Sequence, residues 1–136
     1  GLAAAAAAMC RHLWQDTPKI VVVEPEKASC LIGSIETGKP IKAGGGLSNM
    51  GRLDCKEPSH LALRYLAEEA DYFMTISDNV AENTCNWLAG HDLASTPSGI
   101  AGIAGLKALK EAGGLSDLGD ASTVLTFVSE EASDDG

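Results

Sequence analysis

The sequence predicts an α/β fold of three layers, in which helices cover both faces of a mostly parallel sheet of about four strands. The first observation is the apolar run at residues 20–24, which Pro18 precedes and Pro25 closes. Its four β-branched residues are typical of a strand that is buried on both faces. The second is that an Ala-rich helical stretch precedes this run, while strand and helix candidates alternate after it. The third is that Ala and Gly are abundant and only 4% of residues are aromatic, which favours closely packed layers.

The first half of the chain predicts two helices and a second strand around this run. Residues 1–16 predict a helix, because an unbroken series of alanines has the highest helix propensity. Residues 26–36 predict a short helix that ends at Gly38, and residues 40–43 predict a strand that leads into the triple glycine at 44–46. A triple glycine can expose its amides to a phosphate, but this one lacks a Lys, Ser or Thr at defined spacing. We therefore interpret it as a flexible turn.

The second half predicts three further helices and two further strands. The helices cover residues 60–70, 78–88 and 100–112, and the strands cover residues 72–76 and 123–128. Ser59 and Ser77 are the predicted N-caps of the first two of these helices. The third helix is apolar almost all round and has Gly99, Gly102 and Gly105 at intervals of three. These glycines predict a groove in which another backbone can lie close.

Polar or small residues follow each predicted strand. Glu24, residues 44–46, Ser77 and Ser129 occupy these positions, and ligands of open α/β sheets bind beyond the carboxyl ends of the strands. We therefore expect these residues to lie along one edge of the sheet. Ser98 adds a hydroxyl beside free helix amides, where an anionic group can bind, although a helix cap and a packing face explain it equally. The acidic residues after Ser129 belong either to this edge or to a solvated tail.

Composition excludes several classes of function. The formal net charge of -9 argues against nucleic acid and anionic membranes as partners, because both need a basic face. Four cysteines without a CxxC pair predict reduced thiols, and three histidines without partners at ligand spacing predict no metal site. The longest apolar run, residues 2–10, is too short to span a bilayer. We expect a cytoplasmic protein whose 136 residues form one domain.

Six segments of the chain, taken in order, resemble one enzyme family. They are GLAAAAAAMCRHLWQ, VVVEPEKASCLIGSIETGKP, CKEPSHLALRYL, YFMTISDNVA, PSGIAGIAGLKAL and VLTFVSEEASDD. Together they resemble the C-terminal part of the large domain of fold-type II pyridoxal-phosphate enzymes. The resemblance is greatest to the diaminopropionate ammonia-lyases, with the threonine dehydratases and tryptophan synthase β subunits more distant. It implies that residues 1–136 are a single partial domain, a fragment of such an enzyme.

The resemblance implies pyridoxal phosphate as the cofactor of the intact protein. It also implies three cofactor contacts in this chain. Gly1 resembles the last glycine of the family's phosphate-binding loop, Ser98 begins the Ser-Gly pair near the cofactor, and Ser129 is the serine that faces the pyridine nitrogen. A neutral hydroxyl at that position suits β-elimination better than transamination. The chain departs from the family at Pro97, where the family usually has a glutamate near the cofactor ring.

The activity that the resemblance implies lies in amino-acid metabolism. It is the β-elimination of a small amino acid, such as 2,3-diaminopropionate, to pyruvate and ammonia. None of the seven lysines stands in a motif like that of the family's cofactor-linked lysine, so we assign no catalytic residue and expect the isolated chain to be inactive. The alternative is a noncatalytic α/β scaffold or oligomerisation module. Under either interpretation we expect a homo-oligomer, because an open sheet edge and an open apolar face favour self-association.

Overall fold

The computed structural model describes residues 1–132, and its centre is a parallel pair of strands. The strands are β1, Val21–Pro25, and β2, Tyr72–Ile76, in a register that places Val23 opposite Met74. β-Branched and aromatic residues dominate both strands, as is usual for a half-buried pleated surface. The predicted α/β class and the parallel arrangement are confirmed.

Five α-helices surround the strands within the described part of the chain. They are α1 (Leu2–Trp14), α2 (Cys30–Thr37), α3 (His60–Glu69), α4 (Asp78–Ala89) and α5 (Ala101–Glu111), and a 3-10 turn covers Glu26–Ala28. α1, α2 and α3 pack on one face of the strands, and α4 and α5 pack on the other. The chain therefore has the three layers that the sequence predicts. Within residues 1–132 no helix combines the length and the apolar composition that crossing a bilayer requires.

The strands separate two apolar cores. On the α1 face, Val22 packs with Ala7 and Leu66. On the α5 face, Val23 packs against a larger core formed by Met50, Ile76, Ala81, Leu88, Ile100, Ala101 and Ala104. Successive side chains of a strand point to opposite faces, so neighbouring valines of β1 contribute to different cores. This is why the run shows no alternation between apolar and polar residues.

Local sequence signals set the ends of the helices. Ser59 Oγ accepts a hydrogen bond from the Ala62 N–H at 3.4 Å, and Ser77 Oγ accepts one from the Val80 N–H at 3.3 Å. Both predicted N-caps are confirmed. α2 ends at Gly38, whose φ of 70° lies in the left-handed region that glycine adopts without strain.

Two of the four predicted strands are not strands in the structure. At residues 40–43, Pro40 has no N–H to donate, and Ala43 donates to Lys56 O at 2.8 Å in an isolated contact with a loop. Residues 123–128 are mostly exposed and pair with neither β1 nor β2. A strand needs a hydrogen-bonded neighbour, and the sheet described within residues 1–132 has two strands rather than about four. The apolar pattern of these segments predicted burial, but it carried no information about a partner.

Gly105 lies where α5 approaches β1 most closely. A Cβ atom built at position 105 would lie 2.6 Å from Val23 Cγ2, whereas one at Gly102 would lie 3.8 Å from Thr126 Cβ. The first distance is a clash and the second is an ordinary contact. The predicted glycine groove is therefore confirmed at Gly105, where it accommodates β1.

Replacing Gly105 with Ala should lower the free energy of unfolding by about 1–2 kcal/mol, because Val23 or α5 must shift. Urea unfolding followed by circular dichroism measures the change. Gly102→Ala is the matched control, since both substitutions gain the same helix propensity and differ only in the space available. Equal stability of the two variants would contradict the packing explanation.

Candidate functional site

The carboxyl ends of β1 and β2 lie side by side, with Pro25 opposite Ile76, and we call this side of the sheet the carboxyl edge. Lys27, just after β1, donates from Nζ to Asp78 Oδ2 at 2.7 Å, just after β2. Ser48 Oγ donates to the other carboxylate oxygen of Asp78 at 2.6 Å. The hydrogen bonds from Lys27 and Ser48 hold the pKa of Asp78 below its ordinary value. Asp78 is therefore a carboxylate at neutral pH, and it ties the two strand ends together.

Glu24 lies at the carboxyl edge, as the sequence predicts, but its side chain is only partly a feature of the edge because it is 6% exposed. Its two carboxylate oxygens accept hydrogen bonds from the Leu31 and Ile32 N–H groups, both at 2.9 Å. Burial raises the pKa of Glu24, and these two hydrogen bonds oppose the rise. Since both oxygens are engaged with the first turn of α2, Glu24 fastens α2 to β1 and serves the fold.

The triple glycine is held against the backbone that follows β1. Lys56 Nζ donates to Gly46 O at 2.6 Å and to Lys27 O at 2.7 Å, and it also bonds to the Asp54 carboxylate. A Cβ atom at Gly45 would lie 2.2 Å from Lys27 O, so the two backbones touch. The predicted turn is present. Its glycines serve close packing, and Lys56 holds the turn in place.

Ser98 and Ser129 come together just before α5. The Ser129 N–H donates to Gly99 O at 3.2 Å, which places Ser129 beside the residue that follows Ser98. Ser98 Oγ accepts a hydrogen bond from the Arg52 N–H at 3.1 Å, and its own hydrogen remains available to another acceptor. Ser98 does not cap the turn, because Thr96 Oγ1 accepts the Gly99 N–H at 3.0 Å. The Ser98 hydroxyl is therefore available for a role other than capping.

Glu130 fastens the same segment to its surroundings. Its Oε1 pairs with Arg52 Nε at 3.2 Å, its Oε2 accepts a hydrogen bond from Thr96, and its backbone oxygen accepts one from Ser95. Sequence reasoning gave neither Glu130 nor Arg52 an individual role. Glu130 could have been found from its position next to Ser129. No sequence signal places Arg52 here, because it comes from a loop 46 residues before the serine that it contacts.

The acidic run predicted after Ser129 divides into two parts. Glu130 is engaged with the loop before α5, so at this residue the run belongs to the edge, and Glu131 is exposed. Residues 133–136, which include the remaining acidic residues, lie outside the described residues.

Gly1 lies at the start of α1, in the layer opposite α5. Near the end of α1, Arg11 Nη2 donates to Glu69 O at 2.6 Å and to the Asp71 carboxylate at 3.1 Å, next to the beginning of β2. α1 therefore runs antiparallel to the strands and begins at the carboxyl edge. Its first turn has neither an acidic residue nor a side-chain cap, and nothing lies within 4 Å of a Cβ built at Gly1. The three predicted cofactor residues thus share the carboxyl edge, with Ser98 and Ser129 adjacent and Gly1 in a different layer.

The thiols contribute no nucleophile to this edge. All four cysteines are free, and Cys30 donates a hydrogen bond to Cys55 O at 3.2 Å. Burial, together with the charge of Glu24, raises the pKa of Cys30 to about 11, so this thiol stays protonated at neutral pH. In the part of the chain that the structure describes, no group of three or more His, Cys, Asp and Glu side chains could hold a metal ion.

Comparison with known proteins shows what kind of protein has this arrangement. The family described as pyridoxal-phosphate dependent enzymes matches residues 1–130. The chain belongs to this family. Among solved structures, the crystal structure of a T.th. threonine deaminase resembles this pyridoxal-phosphate dependent enzyme chain with a TM-score of 0.74 and 20% sequence identity. The likeness covers 81% of this chain and 40% of that one, so the chain spans less than half of the enzyme that it resembles.

The threonine deaminase likeness shows the fold alone, because the sequence identity is low. No curated protein matches the sequence at a significant level. The family result confirms the predicted pyridoxal-phosphate enzyme fold and the predicted cofactor, pyridoxal phosphate. The more specific resemblance to diaminopropionate ammonia-lyases stays a prediction, and so do the roles of Gly1, Ser98 and Ser129.

The described residues of this pyridoxal-phosphate dependent enzyme chain have the chemistry that parts of the cofactor need. The uncapped amides in the first turn of α1, which follows Gly1, suit a phosphate group. The hydroxyls of Ser98 and Ser129 are neutral groups that can donate or accept hydrogen bonds, which suits the polar atoms of a pyridine ring. Lys27 and Lys56, the lysines at the carboxyl edge, are both engaged in ion pairs. The cofactor thus fits the edge through its phosphate and ring, without a covalent link to either lysine.

Proposed function

We propose that the chain is part of a pyridoxal-phosphate dependent lyase that removes the β-amino group of an amino acid such as 2,3-diaminopropionate, releasing pyruvate and ammonia. The observation that carries this proposal is the meeting of the Ser98 and Ser129 segments at the carboxyl edge of a pyridoxal-phosphate enzyme fold. Two neutral hydroxyls beside the cofactor ring suit elimination. We further propose that the protein acts as a cytoplasmic homo-oligomer.

When bound, the cofactor supplies an electron-accepting ring that stabilises negative charge on the α-carbon of the amino acid. The protein groups at the carboxyl edge bind and orient it. The amides of α1 after Gly1 hold the phosphate with the help of the positive end of the helix dipole. Ser129 offers a hydroxyl to the ring nitrogen, and Glu130 fixes the position of Ser129 through its contacts with Thr96 and Arg52.

The fold likeness to a threonine deaminase supports ammonia release from an amino acid as the class of reaction. The alternative function, a noncatalytic scaffold or oligomerisation module, requires no cofactor. Cofactor binding therefore separates the two proposals, and substrate preference then separates 2,3-diaminopropionate from threonine.

The test uses the protein at its full encoded length. We expect it to bind pyridoxal phosphate and to release pyruvate and ammonia from 2,3-diaminopropionate faster than it deaminates threonine. Ser129→Ala should weaken cofactor affinity by about 2- to 10-fold, the range expected for one neutral hydrogen bond. Ser116→Ala, at an exposed serine in the loop after α5, is the control and should leave affinity unchanged.

A full-length protein that binds no pyridoxal phosphate would support the scaffold instead. A protein that binds the cofactor but prefers threonine would retain the lyase class and overturn the proposed substrate.

A further inference from the structure

We infer that Arg52 binds the carboxylate of the amino-acid substrate at the carboxyl edge. This inference rests on the proposed function and adds to it a residue that recognises the substrate. Four features of Arg52 support it: its position, its unused donors, the charge around it and its distance in the fold from the predicted phosphate contact.

The position of Arg52 is fixed at two points. Its backbone N–H donates to Ser98 Oγ at 3.1 Å, and its side-chain Nε pairs with Glu130 Oε1 at 3.2 Å. Glu130 follows Ser129 directly in the chain. Arg52 is therefore attached to both segments that carry the predicted ring-binding hydroxyls, and a molecule bound beside them lies within reach of its guanidinium.

The terminal nitrogens of Arg52 are available to a ligand. The side chain is 83% exposed, and only Nε has a partner among residues 1–132. Nη1 and Nη2 carry the remaining donors of a planar group whose geometry matches the two oxygens of a carboxylate. The other two arginines are used differently: Arg11 is engaged inside the fold, and Arg64 pairs with Glu68 within α3.

The charge distribution gives this arginine a task that no neighbour performs. The chain carries a formal net charge of -9, so its overall field repels a substrate carboxylate. Lys27 and Lys56, the other cations described at the carboxyl edge, are neutralised by Asp78 and Asp54. Arg52 can share Glu130 through Nε and still present its terminal donors to an anion.

A carboxylate fits this position better than the cofactor phosphate does. The amides predicted to hold the phosphate belong to α1, which packs on the opposite face of the strands from α5. Arg52 contacts the segments before α5 and after residue 128. The anion nearest to Arg52 would therefore belong to the molecule that reacts beside the ring.

The experiment separates the carboxylate from the rest of the substrate. The full-length, cofactor-loaded protein is titrated with 2,3-diaminopropionate and with 1,2-diaminoethane, which is the same diamine without its carboxylate, and the absorption spectrum of the cofactor reports binding. Arg52→Gln should weaken binding of 2,3-diaminopropionate by roughly 10- to 100-fold, as expected for a charge-assisted contact, and leave 1,2-diaminoethane unchanged. Arg52→Lys keeps the charge without the planar fork and should recover part of the loss. Arg64→Gln is the matched control at an exposed arginine and should change neither affinity.

Three results would overturn the inference while the proposed function stands. Equal weakening for both diamines would mean that Arg52 acts only through the shape of the site. Weaker binding of pyridoxal phosphate itself, with unchanged discrimination between the diamines, would assign Arg52 to the cofactor phosphate. Unchanged affinities for all three molecules would mean that Arg52 binds none of them. If the wild-type protein binds no pyridoxal phosphate or neither diamine, the proposed function and the inference fail together.

Discussion

Replacing Arg11 with Met should lower the free energy of unfolding by about 2–4 kcal/mol. Arg11 is 13% exposed and uses every N–H of its guanidinium. Its acceptors are the backbone oxygens of Gln15, Pro18 and Glu69 and the carboxylates of Glu69 and Asp71, at 2.6 to 3.2 Å. Met keeps the apolar stem and removes all the donors, so the loss reports the polar contacts alone.

The same substitution should also reduce the loss of stability in acid. Desolvation by burial would raise the pKa of Asp71, but hydrogen bonds from the Ile20 N–H and Arg11, with the charges of Lys19 and Arg11, outweigh it and hold the pKa below its ordinary 3.8. A carboxyl with a depressed folded-state pKa contributes its full stability above the unfolded-state pKa and loses it as the pH falls through the folded-state pKa. The wild type should therefore lose this contribution as the pH falls below about 3.8. Arg11→Met, which lacks one cause of the depression, should lose less over the same range.

Urea unfolding at neutral pH and at several acidic pH values measures both effects. Arg64→Met is the control, because Arg64 forms an exposed pair with Glu68 that should contribute less than about 1 kcal/mol. If the two arginine variants lose equal stability at neutral pH, the buried network around Arg11 does not hold α1 to the sheet.

Gly45→Ala is the second change with a large expected effect, a loss of about 3 kcal/mol of unfolding free energy. The added Cβ would lie 2.2 to 2.6 Å from three backbone atoms of Lys27, which cannot rotate away as a side chain can. The loop must lift, and lifting it separates Gly46 from Lys56. Because the same loop continues to Arg52, this variant should also weaken binding of 2,3-diaminopropionate by the full-length protein.

The neighbouring glycines provide the control for this prediction. A Cβ at Gly44 or Gly46 has nothing within 4 Å, so Ala at either position should change stability by less than about 1 kcal/mol. Chemical unfolding of the three variants side by side measures the difference. An Ala at position 44 that destabilises as much as one at 45 would show that loop flexibility, rather than the contact with Lys27, determines the cost.

Much of the fold could be predicted because the signals that specify it are local. The buried run at residues 20–24, the caps at Ser59 and Ser77, and the glycine after α2 each depend on a few neighbouring residues. The two unconfirmed strands, at residues 40–43 and 123–128, depended on something that is not local. A strand is defined by a hydrogen-bonded neighbour, and apolar composition does not show which segment supplies it.

The candidate site divides in the same way. Ser98 and Ser129 could be singled out from sequence because each stands at the end of a predicted element and in a segment that resembles the enzyme family. Arg52 could not, because its contacts depend on how the loop before α3 folds over the start of α5. The role of Glu24 was also hidden, since the acceptance of two α2 amides by a buried carboxylate is visible only in three dimensions.

The spacing of the contacts that join β1 to β2 has a consequence for folding kinetics. The Ile20 N–H bonds to Asp71 at one end of the pair, Lys27 bonds to Asp78 at the other, and both contacts join residues 51 apart in sequence. Closing so long a segment is slow, so strand pairing is expected to be a late event for this chain. A slip of one residue would break both contacts and move every side chain of the slipped strand to the wrong face. The two polar contacts therefore act as a register check at opposite ends of the pair, and the carboxyl edge can assemble only after the strands have aligned.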